Sequence, residues 1–173
     1  MAESNSSVLG INANFTLALE PGSSATVSDH PHRARDTAWA MSEENVERLR
    51  RGYELWLTTG DFLPEVTHPD FVWDMSTFRG WPERQTYPGT EGAREFLADW
   101  TAAWEDWELE VEDYVDAGER VVTIVRQRGR SKTSGVPVEM RFGQVWTFQD
   151  GKQIRMQMYA SPEEALEAAG LDG

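Results

Sequence analysis

VEMRFGQVWTFQDGK, residues 138–152, decides the fold class. Val138, Met140, Phe142, Gln144, Trp146 and Phe148 fall at every second position, so they share one strand face that is apolar except at Gln144. Asp150-Gly151 follows, a dipeptide suited to the positive φ angles of a two-residue hairpin turn. The period of two resumes in KQIRMQMYA, and upstream it also runs through 108–117 and 120–131. Four strands are expected, over 108–117, 120–131, 137–149 and 152–160, joined by DAGE, KTSGVP and DG.

Before these strands the period is helical. Ser42 suits an N-cap, and Glu43 and Glu44 suit the positive end of a helix dipole. Val46, Leu49, Tyr53, Trp56 and Leu57 then recur at three- and four-residue spacing until Gly60-Asp61. DFVWDMSTFRG (70–80) reads as an opening strand with Asp74 set among Phe71, Val72, Trp73, Met75 and Phe78. GWPERQTYPGT reads as a loop from its prolines and glycines. A second helix is expected to carry Ala93, Phe96, Leu97, Trp100, Trp104 and Trp107 on one side. In SPEEALEAAG, Ser161 caps a last helix, Pro162 opens it, Glu164 completes a capping box and Gly170 ends it. Helices followed by an antiparallel meander make an α+β pattern.

The 173 residues suffice for one domain with a real core. Residues 1–40, rich in Ser, Asn, Ala and Gly, read as a disordered extension or as the product of a start assigned too far upstream. Met41 opens MSEENVERL, an ordinary beginning for a protein, and the domain is expected over 41–173. The first forty residues lack the basic start and unbroken apolar run of a secretory signal. The absence of cysteine excludes disulfides, iron–sulfur clusters and thiol catalysis, and fits a cytoplasmic location. A net charge of −14 argues against nucleic-acid and anionic-membrane partners, and no apolar run is long enough to span a bilayer. Eight tryptophans and seven phenylalanines promise a large aromatic core or an aromatic-lined cavity.

The segments SEENVERLRRGYELW with TGD, HPDFVWD, GTEGAREFLADWTAAWEDW, VDAGERVVTIVRQRGR, VEMRFGQVWTFQDGK and PEEALEAAGL follow one another over Met41 to about Gly170. In that order they resemble the SnoaL-like group of the nuclear transport factor 2-like superfamily. The resemblance implies a curved antiparallel sheet wrapped with helices into a cone whose open end is a pocket. Family members include ketosteroid isomerases, polyketide cyclases, epoxide hydrolases and dehydratases, and others that only bind ligands or dimerise, so the fold does not deliver a function. Against the isomerase pattern, Tyr53 stands seven residues before Gly60 as the hydroxyl donor does, and Asp74 matches the general base. Gln144 occupies the position of a protonated aspartate. Gln144 donates only a neutral hydrogen bond, which argues against steroid isomerisation itself.

Alternation puts Asp74 on the face of Val72 and Ser76, opposite Phe71, Trp73 and Met75. The resemblance implies that the Asp74 face lines the cone, where aromatic surroundings would raise its pKa toward that of a working base. The other reading is a strand-end aspartate accepting backbone bonds in the next turn. Tyr53 reads either as core packing or as a ligand-facing hydroxyl, and Gln144 either as an internally bonded amide or as a ligand contact. His68, before Pro69, reads as an exposed loop residue. With no second histidine after the first forty residues and no cysteine, neither a metal site nor a cofactor is expected. Arg126 and Arg128 alternate with Val122 and Ile124 and are expected to pair across strands with Glu139.

The expected function is the binding of a small, largely apolar organic ligand by a homodimer formed through the outer face of the sheet. Candidate walls are Trp56, Trp73, Phe96, Trp100, Met140, Phe142, Trp146, Met156 and Met158. Two readings stay open. In one, Asp74 abstracts a proton next to a carbonyl in a cofactor-independent isomerase, cyclase or lyase, with Tyr53 and Gln144 as oxyanion donors. In the other, the domain is non-catalytic, its interior is filled by its own side chains, and Asp74 and Gln144 are bonded to neighbours.

Overall fold

A computed structural model of the chain describes residues 31–79, 81 and 83–171. Expectations for residues 1–30 lie outside the described residues. The elements run α1 (Pro31–Thr59), β1 (Thr67–Asp74), β2 (Thr86–Pro88), α2 (Gly89–Ala102), β3 (Trp104–Ala117), β4 (Arg120–Ser131), β5 (Pro137–Gln149), β6 (Lys152–Tyr159) and α3 (Pro162–Ala168). The six strands form one sheet in the order β2-β1-β6-β5-β4-β3, antiparallel throughout except for the β1–β6 pair.

The meander forms where the period of two is unbroken, and Asp150 (φ 50°) and Gly151 (φ 72°) make its tightest turn. Register irregularities interrupt β3 between Glu105 and Glu108 and again between Val111 and Asp113, and β5 between Thr147 and Phe148. Such bulges add twist, and the sheet curls without closing. Its concave face gathers Phe71 and Trp73 of β1, Val121 and Val125 of β4, Phe142 and Trp146 of β5, and Met156 and Met158 of β6. Leu49 and Tyr53 of α1 and Phe96 and Trp100 of α2 close over that face. Burial of this aromatic set is the dominant favourable term, at about 25 cal/mol per Å² of apolar surface removed from water.

The convex face is covered only in part. Val122, Val145, Ala165 and Ala169 form a second, smaller cluster beneath α3. Gly143 makes that contact possible, because a Cβ there would lie 2.3 Å from the Ala165 Cβ and 3.1 Å from the Ser161 carbonyl oxygen. Ser161 caps α3 by accepting the Glu164 N–H at 3.2 Å, as its sequence predicts. Beyond α3 the face is charged: Arg126 and Arg128 both pair with Glu139, at 3.2 and 3.0 Å, and Glu112 accepts from Arg126 and from Arg141. Those two guanidinium bonds hold the Glu112 carboxyl below its ordinary range.

Four local expectations are corrected. Helix α1 begins at Pro31, so Ser42 is no cap but a buried position inside the helix. Leu57 turns outward and is 45% exposed, so the α1 stripe ends at Trp56. Helix α2 ends at Ala102, and Trp104 and Trp107 belong to β3. The positive φ of Asp106 (52°) and the adjacent bulge keep these indoles near α1 and α2 despite the change of period. Finally, Thr86–Pro88 within the expected loop pairs with β1 as a short edge strand. Among the described residues no helix is long and apolar enough to cross a membrane.

Candidate functional site

Between the concave face and the two long helices lies a cavity of about 50 Å³. That is room for a handful of water molecules. Seven of the expected wall residues line it, namely Trp56, Trp73, Phe96, Trp100, Phe142, Trp146 and Met158. Met156 does not, since it is wholly buried in the core beneath Trp73 and Trp146. Met140 does not either; it sits beside Gln127 near the far end of β5, packed on the core's edge. Sequence reasoning missed Phe62, Leu63 and Val66, which line the cavity from the segment between α1 and β1, and Gln153 at the start of β6. The apolar cluster at 62, 63 and 66 was the available signal, obscured by Pro64 and the lack of a regular period.

The floor of the cavity is a bonded polar group. Tyr53 donates its hydroxyl to Gln144 Oε1, and Thr123 Oγ1 donates to the same oxygen at 3.2 Å. Thr123 in turn accepts the Trp146 indole N–H at 3.2 Å. Register explains the meeting: Thr123 of β4 faces Gln144 of β5, and α1 lays Tyr53 across the pair. The Trp146 and Tyr53 rings meet edge to face at 5.7 Å. Burial pushes the Tyr53 pKa well above that of an ordinary tyrosine, outweighing the opposing bond from Thr123, so the hydroxyl is a neutral donor at any physiological pH.

Asp74 is elsewhere. Trp73 faces Tyr87 and Met156 on the concave side, so its neighbour Asp74 necessarily points to the convex side. There Arg155 of β6 reaches it with two donors, Nε at 3.1 Å and Nη2, both onto Oδ2. The backbone N–H of Ser76 bonds the other oxygen, Oδ1, at 2.9 Å. The resemblance implied an inward carboxylate with a raised pKa. The structure instead holds the pKa below its ordinary 3.8: burial is the largest single influence and raises it, but the Arg155 and Ser76 bonds together overcome it. The strand-end reading of Asp74 is therefore the one that describes its contacts. Of the three residues Asp74, Tyr53 and Gln144, the structure brings together only the last two.

With Asp74 outside, the cavity walls carry no charged side chain among the described residues, and Tyr53 is the one titratable group among those walls. Polar groups without a partner are nevertheless present. The indole N–H groups of Trp73 and Trp107, both wall residues, are buried and unbonded among the described residues. An unmade buried hydrogen bond costs about 1–3 kcal/mol, and both nitrogens are sealed from solvent. Trp56 and Trp107 meet edge to face at 5.8 Å. Together with Leu97 they also border a surface groove of about 400 Å³ that continues to Gly60, Arg94 and Thr101. One layer of side chains separates the two spaces. Among the described residues no group of three or more acidic, histidine or cysteine side chains is placed to hold a metal ion.

Solved structures share this architecture at low sequence identity. TerC co-crystallised with polyporic acid superposes with a TM-score of 0.58 at 23% identity, covering 73% of this chain and 98% of that one. A nuclear transport factor 2-like protein of unknown function from Burkholderia pseudomallei gives 0.57 at 20% identity, over 72% of this chain and 95% of that one. A nuclear transport factor 2-like protein from Burkholderia xenovorans gives 0.55 at 22% identity, over 74% of this chain and 96% of that one. No curated protein matches the sequence. The family model for the SnoaL-like domain matches residues 46–156, which spans the end of α1, the whole sheet up to Met156 and the cavity between them. The chain belongs to the SnoaL-like domain family.

Proposed function

We propose that this chain binds a small, largely apolar organic molecule in the cavity beneath α1 and α2, and that it does so without proton abstraction by Asp74. The observation that carries the proposal is the composition of the walls: aromatic and aliphatic side chains, a bonded Tyr53–Gln144–Thr123 floor, and no charged group. A base for abstraction next to a carbonyl must reach the proton with a pKa near the working pH. Tyr53 has its pKa pushed the wrong way for that task, and Asp74 lies across the sheet, neutralised by Arg155.

The empty cavity is smaller than an aromatic ring requires, so binding displaces Trp56 and Trp107 and joins the cavity to the outer groove. The co-crystallisation of the fold neighbour TerC with polyporic acid supports a small organic ligand for this chain. The charged convex face of β3, β4 and β5 is proposed to pair with a second copy, its alternating Arg and Glu rows meeting their own kind across a two-fold axis. The test of ligand binding is a thermal-shift and tryptophan-quenching screen of aromatic ketones, polyketide-like aromatics, terpenoids and epoxides. Compounds that raise Tm, quench the emission and are recovered unchanged are the expected result. Rapid conversion of a bound compound that is lost in Asp74→Asn would overturn the non-catalytic reading, and silence across the whole screen would overturn binding.

A further inference from the structure

In a chain with a net charge of −14, a surface hollow of about 280 Å³ is lined by His68, Arg94 and Lys152 and by no acidic side chain among the described residues. It forms where residues 62–69 meet the first turn of α2 and the start of β6. Phe62 and Thr67 line both this hollow and the inner cavity, so one layer of side chains divides the two spaces. We infer that the hollow is a second binding site, independent of whatever occupies the inner cavity, and that it takes a small organic monocarboxylate.

Lys152 carries the argument. It is one of the two lysines in the chain and is partly buried, and its ammonium makes no ion pair or hydrogen bond among the described residues. The arginines give the contrast. Arg48, Arg84, Arg126, Arg128, Arg141 and Arg155 each hold a carboxylate. With 30 acidic side chains against 16 lysines and arginines, a cation left unmatched is the exception. Beside it, His68 Nδ1 accepts the Asp70 backbone N–H at 3.0 Å, so the neutral ring carries its proton on Nε2 as a donor. The Thr90 hydroxyl is likewise without a partner among the described residues. Thr67 is not available in the same way, because it donates to the Leu63 carbonyl at 2.9 Å.

The charge count selects the ligand. Arg94 already pairs with Asp61 and Glu91, but both carboxylates are exposed, and such pairs contribute little against solvent screening. Asp70, the acid nearest His68, is exposed as well and does not line the hollow. One unmatched ammonium, one shared guanidinium and two neutral donors suit a single negative charge; a dianion would bring a second charge into an acidic protein's field. A neutral ligand would cover the ammonium without pairing it. Phe62, Pro64 and Pro69 supply an apolar side for a hydrocarbon body. The volume is at the lower end for small-molecule sites, so the acid has one ring or a short chain.

Benzoate, its neutral counterpart benzamide and inorganic phosphate are titrated into the full chain at neutral pH and constant ionic strength. Reductive ¹³C-dimethylation keeps the lysine charge and gives Lys132 and Lys152 separate NMR signals, assigned from Lys132→Gln and Lys152→Gln. Benzoate should move the Lys152 signal to saturation and leave Lys132 in place. Benzamide should bind about tenfold more weakly, the step of one charge-assisted hydrogen bond, and phosphate more weakly than benzoate. By calorimetry on the unmethylated chain, Lys152→Gln should lower benzoate affinity about tenfold and Lys132→Gln should not; Arg94→Gln, also expected to weaken binding, replaces Lys152→Gln if that variant fails to fold. Equal movement of both lysines, benzamide as tight as benzoate, or unchanged affinity in the pocket variant overturns the site. Phosphate binding tighter than benzoate overturns the monocarboxylate assignment. Benzoate that quenches tryptophan emission without moving Lys152 overturns this inference and leaves inner-cavity binding standing.

Discussion

Replacing Arg155 by Met removes the cation that bonds Asp74, a carboxylate with no exposed surface. The Arg155 side chain is about half exposed, so the two partners are unequal. Deleting the carboxylate in Asp74→Asn leaves a guanidinium that water can solvate, at a cost of about 1 kcal/mol. Deleting the guanidinium leaves a buried charge held by Ser76, through its side chain and backbone N–H, and costs of about 3–5 kcal/mol are typical of that change. In the native chain Asp74 holds its proton less tightly folded than unfolded. The contribution of the pair is therefore complete above the ordinary carboxyl value of 3.8 and is lost as pH falls through the lower folded value. In Arg155→Met burial acts unopposed by that cation, and the folded carboxyl binds its proton more tightly than the unfolded one. The sign reverses: the cost of the substitution shrinks as pH is lowered from about 7.5 to about 5, by at most about 1.4 kcal/mol per pH unit. Urea unfolding followed by tryptophan emission, on wild type, Arg155→Met and Asp74→Asn at both pH values, reads all of these quantities. Equal costs for the two variants, or an Arg155→Met cost that does not change with pH, would refute the assignment of Asp74 as a structural carboxylate.

Tyr53→Phe removes one of the two hydroxyl bonds to Gln144 Oε1 and leaves the one from Thr123. A loss of about 1–3 kcal/mol in unfolding free energy is expected, readable by urea titration. For the proposed dimer, sedimentation velocity should show a species of twice 19.6 kDa, weakened by Arg126→Glu; a single 19.6 kDa species would remove it.

The meander was legible almost to the residue, because β4 and β5 alternate without interruption and Asp150-Gly151 fixes the turn between β5 and β6. Gln144 stood out for the same reason, as the one polar member of an apolar row, and its partners proved to be internal. Asp74 shows where such reading stops. Alternation separates Asp74 from Phe71 and Trp73 but does not say which set faces inward. That depends on Arg155, 81 positions away, which becomes a neighbour only through the parallel pairing of Val72 with Arg155. The tail of α2 failed differently. Trp100, Trp104 and Trp107 keep a helical spacing, yet the backbone leaves the helix at Ala102 and a bulge with positive φ at Asp106 preserves the side-chain direction. The start of α1 failed because a capping pattern at Ser42 is a local preference of about 1 kcal/mol, easily outweighed by the turns that precede it.

The layer formed by Trp56, Leu97 and Trp107 has a kinetic meaning. A wall of side chains opens by torsion about a few single bonds, without moving the helices and the strand on which it stands. Observed association rates should then level off at high ligand concentration, at the frequency with which the two indoles swing apart. Affinity would be written in the rings of the interior, and residence time in the hinge of a tryptophan pair that need not touch the ligand at all.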